Sequence, residues 1–434
     1  MYPTDHMRDM PAGASGQRPN ILFVMADDHA ANAIGAYGAH LSPVAPTDNI
    51  DRIAREGARL DNCFCTNAIC TPSRASILTG EYGHRNGVRT LHDEIDPDRE
   101  HLAHWLGDAG YDTAIVGKWH LHTDPAGFDH YEVLPGQGRY EDPTLREKGS
   151  ETPTTREGYS TDVITDRALD WLGDRPGEDP FFLACHFKAP HEPWAYADRY
   201  EDLFEGVRIP EPSTLFEDKS HRSGATRERG STLSPRNPIR NMVDQVGSED
   251  WPTGAIDTSG TDDEERTRAA YQKHLADYLR TVAAIDDNVG RLLDYLDEAG
   301  IAEDTLVVYT SDQGMFLGEH DHIDKRWMYE EPLRMPLLAR YPREIAPDSF
   351  VDGLLANVDF APTLLDYAGV DVPDAVQGRS FRGHLSGDPP DDWREAVYYR
   401  YWMHRAHHDV PAHYGIRTRR YKLVFFYGLP LDAA

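Results

Sequence analysis

Four runs along the chain are apolar without alternation, and each stops at charged or ligating residues. NILFVMADDHA ends at Asp27 and Asp28, DTAIVGKWH at Gly117, Lys118 and His120. PFFLACHFKAPHEP ends at Lys188 and His191, and DTLVVYTSDQG at Asp312 and Gln313. Unbroken runs of this length predict strands buried on both faces, with helices between them. A long stripe of Tyr271, Leu275, Tyr278, Leu279, Val282, Ile285, Val289, Leu292 and Leu296 predicts a helix stopped by Gly300. DFAPTLLDYAG predicts a shorter helix with the same kind of stop.

Between these elements, residues 206–263 are rich in Ser, Arg, Asp and Pro. They read as an insertion loop, either facing a substrate or merely solvated. Residues 1–19 read as a disordered lead-in, and 20–383 as the main α/β unit. Beyond 384, AVYYRYWMH and YGIRTRRYKLVFFYG predict a small antiparallel C-terminal unit, 384–434. The whole is an α/β fold, a mixed sheet flanked by helices.

Composition narrows the function. A net charge of -30 repels a phosphate backbone and tells against nucleic-acid binding. Only seven of the 44 basic residues are lysine, and an acidic, lysine-poor surface suits high salt. No signal-type apolar core opens the chain, and no stretch has the length of a membrane span, so a cytoplasmic protein is expected. Four cysteines in 434 residues make no disulfide scaffold.

In open α/β sheets ligands bind beyond the carboxyl ends of the strands, so four polar strand ends predict one shared site. Asp27, Asp28, Asp312 and Gln313 offer only oxygen ligands, which suit Ca²⁺ better than Mg²⁺, and either better than zinc. The bland reading of the Asp-Asp pair is a turn or helix cap. Three of the four cysteines fall within NCFCTNAICTPSRASILTG. Thr71 reads as an N-cap, Pro72 as the first helical residue and Gly80 as the stop, which puts Cys70 at a helix N-terminus that favours an anion. Arg74 lies one turn on. Cys63 and Cys65 read as ordinary buried residues, leaving Cys70 as the reactive one.

CTPSRASILTG resembles the signature of the type I sulfatase family. PNILFVMADD, GKWHL, APHEP, YTSDQG, DKRWMYEEPLRMPLLARYP, DFAPTLLDYAGV and GIRTRRYKLV follow the family's pattern in order, from Pro19 to Tyr427. The resemblance implies an alkaline-phosphatase-like fold and a hydrolase of sulfate esters, acting on a sulfated sugar or aryl sulfate. It implies that a formylglycine-generating enzyme oxidises Cys70 to formylglycine, whose hydrate is the nucleophile. Cys70 then joins Asp27, Asp28, Asp312 and Gln313 around Ca²⁺. By the same resemblance Arg74 and Lys118 hold the diol, and Lys118 and Lys325 neutralise the sulfate. His191 or Lys325 protonates the leaving alcohol, and His120 takes a proton from the second hydroxyl to regenerate the aldehyde.

Each residue keeps a bland alternative: His120 as a packed histidine, His191 as a loop feature, Lys325 as part of a solvated charge run. His29, His122, His320 and His322 read as supporting or pocket residues, with His122 where the family often carries glycine. Two rivals remain: a phosphate or phosphonate ester hydrolase on the same scaffold, and a sulfated-glycan binder without catalysis. The family usually continues with another strand and a tail, so by the resemblance a shortened C-terminal unit is expected. The pattern around DKRWMYEEPLRMPLL most resembles sulfatases acting on sugars such as N-acetylglucosamine 6-sulfate.

Overall fold

The strands predicted from unbroken apolar runs lie side by side in a computed structural model that describes residues 18–428, except 176, 178, 260 and 261. The expected lead-in therefore falls almost wholly outside the described residues, as do the last six residues of the C-terminal unit.

Ten strands form one mixed sheet: β1 (Asn20–Ala26), β2 (Ala58–Leu60), β3 (Asp112–Lys118), β4 (His130–Leu134), β5 (Thr144–Glu147), β6 (Thr154–Thr155), β7 (Phe181–His186), β8 (Thr305–Ser311), β9 (Leu337–Arg340) and β10 (Ser349–Val351). Their order is β10-β2-β9-β8-β1-β7-β3-β4-β5-β6. The four expected strands are its parallel centre, β8-β1-β7-β3. The register sets Ala26 beside Ser311 and both Met25 and Gly117 beside His186, so the polar residues that follow all emerge at one edge.

Both faces of that centre are buried, which is why its strands show no alternation. Ile21, Phe23 and Met25 of β1 pack on the side of helices α2 (Cys70–Thr79) and α4 (Phe360–Ala368). Leu22, Val24 and Ala26 pack on the side of α1 (Asp48–Arg55) and α3 (Asp263–Glu298). Each such apolar side chain contributes roughly 1.5–3 kcal/mol by leaving water.

The predicted stripe of α3 is buried throughout, and Gly300 follows its end at φ +69°. Gly369 closes α4 at φ +68°. The C-terminal strands β11 (Ala396–Tyr401), β12 (His413–Thr418) and β13 (Lys422–Phe426) form the expected antiparallel sheet.

Residues 206–263 differ from a solvated loop. Leu233, Met242, Val243, Val246 and Trp251 are buried against Leu275, Tyr278 and Val282 of α3. Buried Asp321 ties the segment down, accepting from Ser234 N at 2.8 Å and Arg236 Nε at 3.1 Å. The composition hid this because the apolar positions are sparse and without a period.

Candidate active site

Gly117, one residue before the end of β3, shows how tightly the strand ends approach. Its φ is +102°, and a Cβ there would lie 1.9 Å from the carbonyl oxygen of His186, so only glycine fits. The close contact lets Lys118 and His120 leave β3 directly beside the end of β7.

Helix α2 brings Cys70 to the same edge. The helix starts at Cys70 rather than Pro72, with Ile69 as N-cap and no side-chain cap. Thr71 instead donates its hydroxyl to the His120 carbonyl at 3.1 Å, which fixes the helix to the end of β3. Gly80 closes the helix at φ +66°, as its sequence indicates. Cys63 and Cys65 are buried and unbridged.

Around Cys70 the charged side chains converge. Its Sγ lies 3.3 Å from Asp27 Oδ1, 3.4 Å from Lys325 Nζ and 3.9 Å from Gln313 Nε2. Lys118 is paired with Asp27, and Lys325 with both oxygens of Asp28. Arg74 turns its fork to Asp312 (Nε–Oδ2, 2.9 Å) and to the Lys118 carbonyl (2.7 Å), leaving Nη2 3.7 Å from Asp27 and without a partner. Three buried acids thus face three buried bases, an arrangement that only mutual pairing makes affordable.

The titration of the cluster follows from burial and these pairs. Burial pushes the Asp27 carboxyl up, but the charges of Lys118, Arg74 and Lys325 together hold it well below its usual range. Burial and the Asp27 charge push Asp312 up to about 7. Burial works against the charge on Lys325, yet Asp28, Cys70 and Asp27 keep it firmly protonated. The Cys70 thiol, expected to favour its anion, is instead driven up by burial and by Asp27. Burial here outweighs the helix N-terminus.

His120 sits at φ +55° with Nδ1 buried and unpartnered, and burial with Lys118 pushes it down to about 2. His191 accepts no proton from its surroundings either: burial lowers it, its Nδ1 donates to the Glu192 carbonyl at 2.8 Å, and Nε2 lies 3.7 Å from Asp28. Both rings are therefore neutral.

The donor set fits a hard divalent cation. Asp27, Asp28 and Asp312 each offer an oxygen, all within 4.8 Å of one another and all buried. Gln313 Oε1, beside them, is buried without a partner. Ligand atoms of Asp27, Cys70 and His191 also lie within 4.8 Å of one another, so Cys70 lies at the rim of this group. An all-oxygen set is the kind that Ca²⁺ and Mg²⁺ take.

Every residue expected at the site is brought to it. Asp28, His191 and Lys325 reach a cavity of about 220 Å³, whose wall adds Arg240, Asp324, Arg326 and His408. Arg240 and His408 escape a sequence reading, as they come from loops without periodicity; the signal for the second is the pair His407-His408, while Asp324 and Arg326 flank Lys325 in DKRWMYEE without a role assigned there. Of the supporting histidines, His29 bonds to Tyr309 (2.6 Å), His320 to Glu217 (2.9 Å), and His322 faces the Ser231 carbonyl (3.4 Å); none lines this cavity. His122 takes φ +67°, a left-handed backbone that explains why glycine suits the position, and its ring bonds to the Leu91 carbonyl.

Among the described residues no helix is long and apolar enough to cross a membrane. The sequence profile named Sulfatase matches residues 19–370, and that of the N-sulphoglucosamine sulphohydrolase C-terminal region matches 318–431. The chain is 42% identical to the N-acetylglucosamine-6-O-sulfatase of Bacteroides thetaiotaomicron, over 96% of this chain and 80% of that protein. It is 28% identical to the human N-acetylglucosamine-6-sulfatase, over 89% of this chain and 68% of that protein. A solved complex with D-glucosamine-2-N,6-O-disulfate superposes with a TM-score of 0.86 at 40% identity, covering 95% of this chain and 89% of the other. A phosphonate monoester hydrolase from Silicibacter pomeroyi shares the fold, with a TM-score of 0.71 at 23% identity. The chain belongs to the sulfatase family, the hydrolases of sulfate esters.

Proposed function

We propose that the protein hydrolyses the 6-O-sulfate of a glucosamine-type sugar, using a formylglycine made from Cys70 and a Ca²⁺ held by Asp27, Asp28, Asp312 and Gln313. The observation that carries the reading is the convergence on Cys70 Sγ of Asp27, Lys325 and Gln313 within 3.9 Å, at the head of a helix reading C-T-P-S-R. The similarity to N-acetylglucosamine 6-sulfatases supports the choice of sugar.

A bound divalent cation would lower the cost of deprotonating a hydroxyl at residue 70 and offset charge on the sulfuryl oxygens. The chain's own residues supply the rest. Lys325 and Lys118 carry the positive charge that an incoming sulfate meets, and both are buried, where that charge acts strongly. Arg74 holds Asp312 and the end of β3 in place. His120 offers a free Nδ1 and, like His191, takes a proton only once the bound anion has raised its affinity for one. Lys325 carries a proton for the leaving oxygen; His191 can give one only after the negative ester has raised its affinity for it. Paired charges on the cavity wall, Asp324 with Arg326 and Glu192 with Arg240, present both donors and acceptors to sugar hydroxyls.

Mass spectrometry of the tryptic peptide Leu60–Arg74, with sulfate release from N-acetylglucosamine 6-sulfate, tests this. Expected are an aldehyde or hydrate at residue 70, turnover of the sugar, and its loss by roughly 10³-fold or more in Cys70→Ala. An active protein with an intact thiol would overturn the nucleophile. Faster turnover of aryl phosphate or phosphonate would overturn the substrate class.

A further inference from the structure

The cavity over Lys325 does not end at the sulfate position. A second cavity, of about 470 Å³, shares Gln137, His191, Glu192, Trp194 and Gln245 with it, so the two are one continuous cleft. The first alone is smaller than the usual ligand site of about 300–1,000 Å³, and the two joined lie within that range. The far part is walled by Trp194 and Trp251, whose rings are 5.5 Å apart, and by Pro252, with Gln245 and Asp250 at hand for hydrogen bonds. An apolar ring wall with a few polar groups suits the C–H face and hydroxyls of a sugar.

One buried charged group in this part is unused; Asp250, the other charge there without a counter-ion, is exposed to solvent. Lys188 is 2% exposed, lines the second cavity, and makes a single hydrogen bond, to the Glu192 carbonyl at 3.2 Å. Its ammonium also stands 4.8 Å over the Tyr140 ring. The acids near it are already taken: Glu192 by Arg240 at 2.7 Å, Asp27 by Lys118, and Asp28 by Lys325. Among the described residues it has no salt-bridge partner, and two of its three donors are spare. A buried ammonium without an anion is costly, so the site is completed by one that arrives with a ligand.

We propose that Lys188 holds an anionic substituent, a carboxylate or a second sulfate, on the sugar residue joined to the sulfated one; this rests on the saccharide reading above. The enzyme then takes its sulfated sugar as part of a chain whose next residue is acidic. Burial and Lys118 lower Lys188 to about 8, which leaves it largely protonated at neutral pH.

Equilibrium binding to the Cys70→Ala protein tests this without depending on turnover. Four probes serve: N-acetylglucosamine 6-sulfate alone, and the same sugar joined to a neutral hexose, to a uronic acid, or to a sulfated hexose. Expected is about tenfold tighter binding of one acidic disaccharide than of the neutral one, and equal binding once Lys188→Met is added. The acidic probe that gains more identifies the anion. Ser248→Trp, which fills the second cavity from its rim, should reduce every disaccharide to the affinity of the monosaccharide, and serves if Lys188→Met does not fold. Equal affinity for neutral and acidic disaccharides, or a preference that survives Lys188→Met, overturns the proposal alone. Failure of all four probes to bind overturns the saccharide reading and the proposal with it.

Discussion

Helices α2 and α3 are both buried, but different physics holds them. α3 runs 36 residues with one apolar stripe against the sheet, a capping Asp262 and an acidic first turn. α2 has ten residues, every one buried, and no side-chain cap. Its polar groups bond outward instead: Thr71 to the His120 carbonyl, Ser73 to the Asp312 carbonyl, Arg74 to Asp312 and the Lys118 carbonyl. One helix is fixed by what it excludes from water, the other by what it ties together. The first kind shows its period in the sequence. The second shows only chemistry.

That contrast predicts where each helix breaks. Arg74→Ala would leave Asp312 and the Lys118 carbonyl buried without their partner, and removing half of a buried pair costs about 3–5 kcal/mol. Urea unfolding should show that loss, and sulfate release should fall with it even where the fold survives. Leu279→Ala, on the stripe of α3, should cost about 3 kcal/mol through the cavity it leaves, while the folded fraction keeps its turnover. If Arg74→Ala proved stable and merely slow, or Leu279→Ala folded and inactive, the division between the two helices would fail.

The same division explains what the sequence disclosed. The parallel centre was readable because β1, β3, β7 and β8 are buried on both faces, and their polar ends marked the site. The start of α2 was misplaced by two residues because Thr71 uses its hydroxyl on β3 and not on its own helix. The direction of the Cys70 shift was missed because burial depends on neighbours far along the chain. Arg240 and His408 carry no signal in the sequence, since the cleft is assembled from separate loops, whereas Lys188 is legible as a polar strand end but not as a cavity wall. For residues 206–263 the sequence leaves a substrate-facing and a merely solvated loop both open, because Asp321, which anchors them, lies in another part of the chain.

A third test separates charge from packing within α3 itself. Asp286 accepts from Asn49 N at 2.9 Å and Ile50 N at 2.8 Å, so it caps α1 from outside. Burial nevertheless raises it to about 6, with those donors working against the shift. A carboxyl raised in the fold favours the protonated form, so its contribution is fullest below about pH 4 and is lost as pH rises through about 6. The stability of the wild type, less that of Asp286→Ala, should therefore fall by about 2 kcal/mol between pH 4 and pH 7. A difference that stays constant with pH would show that the cap, not the charge, is what the residue supplies.

The smallest effect is expected at the start of α3. Asp262 accepts from Glu265 N at 2.9 Å and satisfies one of the donors that the first turn leaves open. Asp262→Ala should cost about 1 kcal/mol, and Asp262→Ser much less, since a serine hydroxyl accepts the same bond. Sulfate release should not change, because no residue of this first turn lines either cavity. High salt should leave most of the difference in place, as a hydrogen bond is screened less than the charge of Asp263, Glu264 and Glu265 beside it. If instead the loss vanished in salt, the first turn would be held by its charge alone, and α3 would depend on its cap no more than α2 does.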